Sequence, residues 1–302
     1  MPTAAATMRL LGSSEVDGEL AVDDVAGLAA RLRPHSARDE PLLVLTSAAG
    51  AERARHSVSL ARAAAPGSGG VVHGSALPPL ARDALVQALA AVSQESSNPL
   101  GASQLLVVCE ALERAAVAGA VVSSVTRLGH PGPSMVQHLR SWWPGSRFIA
   151  LTHPYPQVSL VREQPDDLAL TDAVGIGPLT RTTGDDATGE AVDALAISLT
   201  GSPATRLEPP TGSRARWGTG RFTEFVALPA DLGVLTCTAL DAADECRSCS
   251  ALVSASSCPF CHSRRWPLDE TDVGTPVASI APLEPTTRPT TRSGARAAGR
   301  TR

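Results

Sequence analysis

Two cysteine pairs set close together constrain this chain more tightly than anything else in it. Cys246-Arg247-Ser248-Cys249 is followed, after eight residues, by Cys258-Pro259-Phe260-Cys261. Four of the six cysteines thus fall within sixteen residues. A Cys-x-x-Cys turn puts two sulfurs on one side of a tight loop. Two such turns facing each other supply four thiolates, the closed tetrahedral shell of structural zinc. Eight residues suffice for a small hairpin that brings the turns together. An all-sulfur tetrahedral set selects zinc or an iron centre over hard cations, and it leaves no open position for catalysis. Disulfides compete with this reading, but cytosolic thiols stay reduced. A redox dithiol would want a strand before it and a helix after it.

The stretch resembles a short zinc ribbon, a family whose second knuckle often reads Cys-Pro-x-Cys, as Cys258-Pro259-Phe260-Cys261 does. The resemblance spans residues 244–266 and implies one structural zinc held by Cys246, Cys249, Cys258 and Cys261. In one respect the chain departs from the pattern. Ribbons often carry glycine just after each pair, where a left-handed turn is needed; here Ser250 and His262 stand there. His262 reads as a solvated neighbour of Cys261, not a fifth ligand.

Composition excludes several chemistries. All 26 basic residues are arginine. Without lysine there is no P-loop contact to a nucleotide phosphate, no Schiff base, no kinase strand lysine and no Tyr-Lys dehydrogenase pair. With 302 residues, 43% of them apolar but only 3% aromatic, the chain can bury a core built from Leu, Val and Ala. The longest apolar stretch, near 115–122, is far short of the roughly 18 residues a membrane helix needs. Met1 to Thr7 lacks the basic and apolar regions of a signal peptide, so the expectation is a cytoplasmic protein that spans no membrane.

Short apolar runs alternate with helical patterns. Helices are expected at 22–32, 52–65, 79–92, 113–128 and 134–143. Strands are expected at 42–45, 71–73, 104–109, 147–152 and 194–199. This alternation predicts an α/β body over residues 1–200 with a mostly parallel sheet flanked by helices. Residues 165–190 read as a long surface loop or inserted element, and 201–220 as a linker or irregular crossing. Residues 221–268 read as a β module, with strands at 222–228 and 233–238, that carries the zinc ribbon. Cys237, outside the pairs, reads as a small buried residue. Residues 269–302 read as a disordered tail. After Glu284 come Arg288, Arg292, Arg296, Arg300 and Arg302 and no acid, leaving 21 arginines against 30 acids in the rest. A positive end on an acidic body is either solubilising or an arm for nucleic acid or an acidic partner.

A parallel sheet would deliver its strand ends to one edge, where ligands of open α/β sheets bind. Those ends carry Thr46, Ser47, His73, Cys109, Glu110 and His153. Cys109 activated by His73 or His153, with Glu110 orienting the imidazole, would be a nucleophilic site. His73, His153 and Glu110 would alternatively hold a metal with an open position. The bland alternative makes Cys109 a core residue and His153 part of a turn before Pro154. No HExxH, GxSxG, GxGxxG or Walker pattern accompanies these residues. Beyond the second knuckle, Arg264, Arg265 and Trp266 suit phosphate contact and base stacking, or Trp266 covers the small metal core.

The function expected is a non-catalytic zinc-ribbon adaptor. It would bind nucleic acid or a protein partner through Arg264, Arg265, Trp266, Arg288, Arg292, Arg296 and Arg300. The alternative is a hydrolase or transferase working at the sheet edge through Cys109, His73 and His153.

Overall fold

A computed structural model of the chain describes residues 7–11, 20–21, 24–38, 42–64, 70–96, 100–161, 175–183, 186–210, 213–254 and 257–263. The expected tail at 269–302, the contact residues Arg264, Arg265 and Trp266, and residues 165–174 and 184–185 of the segment read as a loop lie outside them. The rest of that segment holds a strand at Thr180–Thr182 and the start of a helix at Asp186 rather than a continuous loop.

Two sheets, with helices packed on both and between them, organise the body. The first sheet has the order β2-β1-β3-β4 and consists of β1 (Thr7–Leu11), β2 (Leu20–Ala21), β3 (Leu42–Ser47) and β4 (Gly70–Ser75). β3 and β4 run parallel, joined through α2 (Ala51–Ala64), while β1 pairs antiparallel with both β2 and β3. Successive residues of β3 point to opposite faces. Leu42 and Val44 join Leu28 and Leu32 of α1 (Val25–Arg38) and Val58 of α2. Leu43 and Leu45 join Leu85 and Leu89 of α3 (Pro79–Glu95) and Leu105 and Leu112 of α4 (Ala102–Ala115). Both faces are covered, which is why the strand reads as a continuous apolar run.

The second sheet has the order β7-β6-β5-β10-β8-β9. Its strands are β5 (Val117–Val122), β6 (Phe148–His153), β7 (Gln157–Leu160), β8 (Thr180–Thr182), β9 (Thr205–Leu207) and β10 (Phe222–Ala227). Phe222–Ala227, expected to alternate and be half-buried, is buried at all six positions, between β5 and β8. The helix α6 (Asp186–Thr200) packs Val192 and Leu195 against Val121, Leu151 and Phe225 of this sheet. Ala118 and Val226 of the second sheet share the α3–α4 core with Leu43, Leu45 and Val71 of the first. The α3–α4 pair therefore ties the two sheets together.

The α/β class stands, with sheets flanked by helices and a small β module after them. Parallel pairing, however, is confined to β3–β4 and β8–β9 among the described strands; the other pairs are antiparallel. Four elements differ from expectation. The strand expected at 104–109 is the middle of α4, and the helix expected at 113–128 gives way to β5. The helix α4 buries Leu105, Leu106, Val107, Val108, Cys109, Ala111 and Leu112, so it lacks the one-sided pattern of a surface helix. β5, Val-Ala-Gly-Ala-Val-Val, is buried at all six positions, and its small residues mimic a helix former. Gly119 admits no side chain, because a Cβ there would lie 2.6 Å from the Ala150 carbonyl oxygen. The run at 194–199 belongs to α6, and after the short α7 (Ser213–Trp217) the run at 233–238 belongs to α8 (Leu232–Asp241), whose start is capped where Asp231 accepts from the Val234 N–H at 2.8 Å. Cys237 on α8 is exposed, not buried.

Among the described residues, no helix is long and apolar enough to cross a membrane. Between β5 and β6 the short helix α5 (Met135–Arg140) begins with a capping box. Ser134 Oγ accepts from the Gln137 N–H, and the Gln137 side chain accepts from the Ser134 N–H.

Candidate metal centre and the α4 polar cluster

The two cysteine pairs form matching knuckles beside a two-stranded ribbon, β11 (Asp244–Glu245) with β12 (Leu252–Val253). In the first, the Ser250 N–H donates to the Cys246 carbonyl at 2.8 Å; in the second, the His262 N–H donates to the Cys258 carbonyl at 2.9 Å. Ser250 (φ 56°) and His262 (φ 59°) both take the left-handed conformation. The turn that ribbons usually give to glycine is therefore present, and the two side chains bear its steric cost.

The four sulfurs converge. Cys246 Sγ lies 3.6 Å from Cys261 Sγ, Cys249 Sγ lies 3.6 Å from Cys258 Sγ, and all four fall within 4.8 Å of one another. A tetrahedron of ~2.3 Å zinc–sulfur bonds has sulfur–sulfur edges of about 3.8 Å. The set therefore fits a four-coordinate ion of that size. Cys246 and Cys258 are buried, Cys249 and Cys261 exposed.

Hydrogen bonds already favour thiolate. The Ser263 hydroxyl, 3.3 Å from Cys246 Sγ, acts with the N–H groups of Ser248 and Cys249 to bring the Cys246 thiol down to about 6. The same hydroxyl, 3.0 Å from Cys261 Sγ, lowers Cys261 as well. At Cys249 the Ala251 N–H pulls downward, but burial and the neighbouring thiols Cys261, Cys258 and Cys246 push it up to about 12. Binding of a cation by all four sulfurs would need every one as thiolate and would therefore release the protons they carry.

The knuckles rest on the body. Phe260 packs against both the small Cys246-Val253-Cys258 cluster and the α3–α4 core. Ser254, just after β12, donates from its hydroxyl to Glu110 Oε2 on α4. Glu110, a candidate to orient an imidazole, serves instead to fasten the metal module.

The remaining edge candidates are held by separate partners. Cys109 is 0% exposed, set among leucines, and burial pushes its thiol well up, with Glu113 and Glu110 adding to the rise. His153 Nε2 lies 3.3 Å from the Arg114 carbonyl oxygen. His73 Nε2 lies 2.6 Å from Glu113 Oε2, while Glu113 Oε1 accepts from the Ser75 hydroxyl at 2.8 Å and the Ala76 N–H at 3.0 Å. Burial raises the Glu113 carboxyl, but the bonds from His73 and Ser75, the His73 charge and the Ala76 N–H outweigh it and leave the group lowered. Thr46 is buried at the end of β3, with Ser47 half-buried beside it. Glu113 was not legible as a partner of His73, because the pairing depends on how α4 lies against β4. Once α4 is known to be a helix, Glu110 and Glu113 become neighbours three residues apart.

Another carboxylate, this one fully buried, ties elements together. Glu224 of β10 is 0% exposed, and its Oε1 accepts from the Leu80 N–H in the first turn of α3 at 2.8 Å. Burial raises its carboxyl, against the pull of Ser213, the Leu80 N–H, Trp217 and the Arg82 charge. On the neighbouring strand β8, the buried Arg181 donates from Nε and Nη2 to both Asp193 oxygens at 2.8 and 2.9 Å, clamping β8 to α6.

No protein-family model matches the sequence, and no curated protein matches it either. Solved structures do. The chain resembles a fatty-acid (stearic acid)-binding protein from Eubacterium ventriosum at 13% identity, covering 75% of this chain and 90% of that one, with a TM-score of 0.52. It also resembles the DegV family protein Cg2579 from Corynebacterium glutamicum at 13% identity, covering 74% and 88%, with a TM-score of 0.52. At this identity the likeness shows the fold, a DegV-like α/β arrangement.

Proposed function

We propose that the chain is a non-catalytic binding protein for a long-chain fatty acid, with a C-terminal module held by one structural zinc. The observation that carries the acyl reading is the shared fold, over three quarters of this chain, with a protein that binds stearic acid. Two features agree with it. The conceivable nucleophile, Cys109, sits protonated in an aliphatic core, and each histidine candidate is engaged by a different group. Zinc is favoured over other ions because four sulfurs at tetrahedral spacing form a soft, closed shell. Reduced thiols of this kind agree with a cytoplasmic setting.

Titration of delipidated full-length protein with stearate tests the acyl reading. Saturable binding at one site per chain is expected. Heat no greater than that of a short-chain carboxylate such as acetate would overturn it. A separate arm through Arg264, Arg265, Trp266, Arg288, Arg292, Arg296 and Arg300, toward nucleic acid or a protein partner, rests on the sequence alone. It requires binding that weakens steeply with salt, and salt-independent binding would count against it.

A further inference from the structure

The helix α5 is docked with its polar side inward. Its Gln137 Nε2 donates to the Val158 carbonyl of β7 at 2.6 Å, and its capping box fixes its start. Its apolar side faces outward. Met135, Val136 and Leu139, with Trp142 and Trp143 in the following turn, are each 57–78% exposed. Their spacing, i, i+1, i+4, i+7 and i+8, keeps them on one side of the helix and its following turn, a stripe of the kind that normally enters a core. None of the six residues of α5 is buried. Contiguous large apolar groups displayed this way on a protein surface mark an interaction face.

Charge selects the partner. From Arg114 to Arg162 the sequence holds five arginines and not one Asp or Glu, in a chain whose net charge is −4. A cleft of about 470 Å3 opens beside the stripe, lined by Arg140, Trp143, Ser146, Arg147 and Leu160. A neighbouring one of about 300 Å3 adds Arg221, Ser123 and Thr188, and among the described residues no carboxylate lines either. Apolar side chains, paired indoles and flanking arginines without opposing acids are what a surface needs to enter a bilayer interface that carries negative headgroups. The indoles settle at headgroup level, the aliphatics just below, and the guanidinium groups on phosphates.

We propose that α5 and the 141–147 turn form a docking surface for anionic lipid bilayers, with Arg140 and Arg147 receiving headgroup phosphate. This does not depend on the acyl reading, since it concerns a different face and a different chemistry.

The test is flotation of the full-length protein with phosphatidylglycerol vesicles and with phosphatidylcholine vesicles. Binding to the former is expected, with W142A/W143A and M135S/L139S each weakening it roughly tenfold or more. R140Q/R147Q is expected to abolish the preference for phosphatidylglycerol. An unchanged far-ultraviolet spectrum and melting temperature in W142A/W143A certify the fold. Three results would overturn the proposal. The wild type fails to float with phosphatidylglycerol. W142A/W143A floats as well as the wild type, which hands the attraction to the arginine-rich 288–302 end. Or the protein forms, without lipid, a dimer that W142A/W143A dissolves, which makes the stripe a self-association face.

Discussion

At the residue scale, the cysteines and the side chains that follow them decide the metal module. Cys258 is buried and lies 3.6 Å from Cys249 across the cluster. Cys258→Ser is expected to abolish stoichiometric zinc by elemental analysis and to expose the segment after β11 to proteolysis, because metal binding there is folding free energy. Full zinc in that variant would refute the site. Ser250 and His262 hold left-handed turns that glycine adopts without a Cβ penalty. S250G/H262G should therefore retain zinc against a chelator at least as long as wild type, with a gain of up to about 1 kcal/mol per site set against glycine's extra chain entropy. Faster metal loss would show that these side chains do something besides occupy the turn. The ligands were legible in the sequence because their spacing is local. The Ser263 hydroxyl, which steadies two of the sulfurs, was not, since serine after a knuckle carries no signal of its own.

At the scale of elements, a half-buried carboxylate and a buried one give opposite pH signatures. Glu113 joins α4 to β4 through His73, Ser75 and Ala76, and its carboxyl is lowered from 4.5. A lowered carboxylate contributes stability above its unfolded value and loses it as pH falls through its folded value. Glu113→Gln should thus cost about 1–2 kcal/mol at neutral pH, and denaturant titrations should show the gap closing below pH 4.5. A gap independent of pH would contradict the bonding described. Glu224 joins β10 to α3 and is raised from 4.5. Its contribution is fully present below that value and lost as pH rises. Glu224→Gln keeps an acceptor for the Leu80 N–H, so it should match the wild type near pH 4.5 and exceed it in stability at pH 8. A variant less stable at pH 8 than at pH 4.5, relative to wild type, would refute that sign. Elements bounded by Pro and Gly were readable: α2, β3, β4 and β6 fall close to expectation, while α1 was placed but runs on through Pro34 to Arg38 instead of stopping at 32. The exchange at α4 and β5 was not, because a helix buried nearly all round and a strand of Val, Ala and Gly carry each other's composition. For α8 the cap at Asp231 was a usable signal, overridden by the apolar run behind it.

At the scale of the whole molecule, the α/β class was visible in the alternation, but the sheet order was not. Phe222–Ala227, remote in sequence, inserts between β5 and β8 and makes that sheet largely antiparallel. No single strand edge therefore serves both sheets, and Cys109, His73 and His153 are each held by separate partners. What replaces it is a DegV-like fold whose two sheets meet on the α3–α4 pair, with the cysteine knuckles resting on the same core through Phe260. Chelator treatment should accordingly loosen the C-terminal module first and lower the melting temperature of the body by a smaller amount. Native mass spectrometry of the full-length protein bears most directly on the binding reading. A long-chain fatty acid carried at one per polypeptide, released on denaturation and restored by added stearate, is the predicted result. A bare polypeptide whose mass is unmoved by stearate would contradict it.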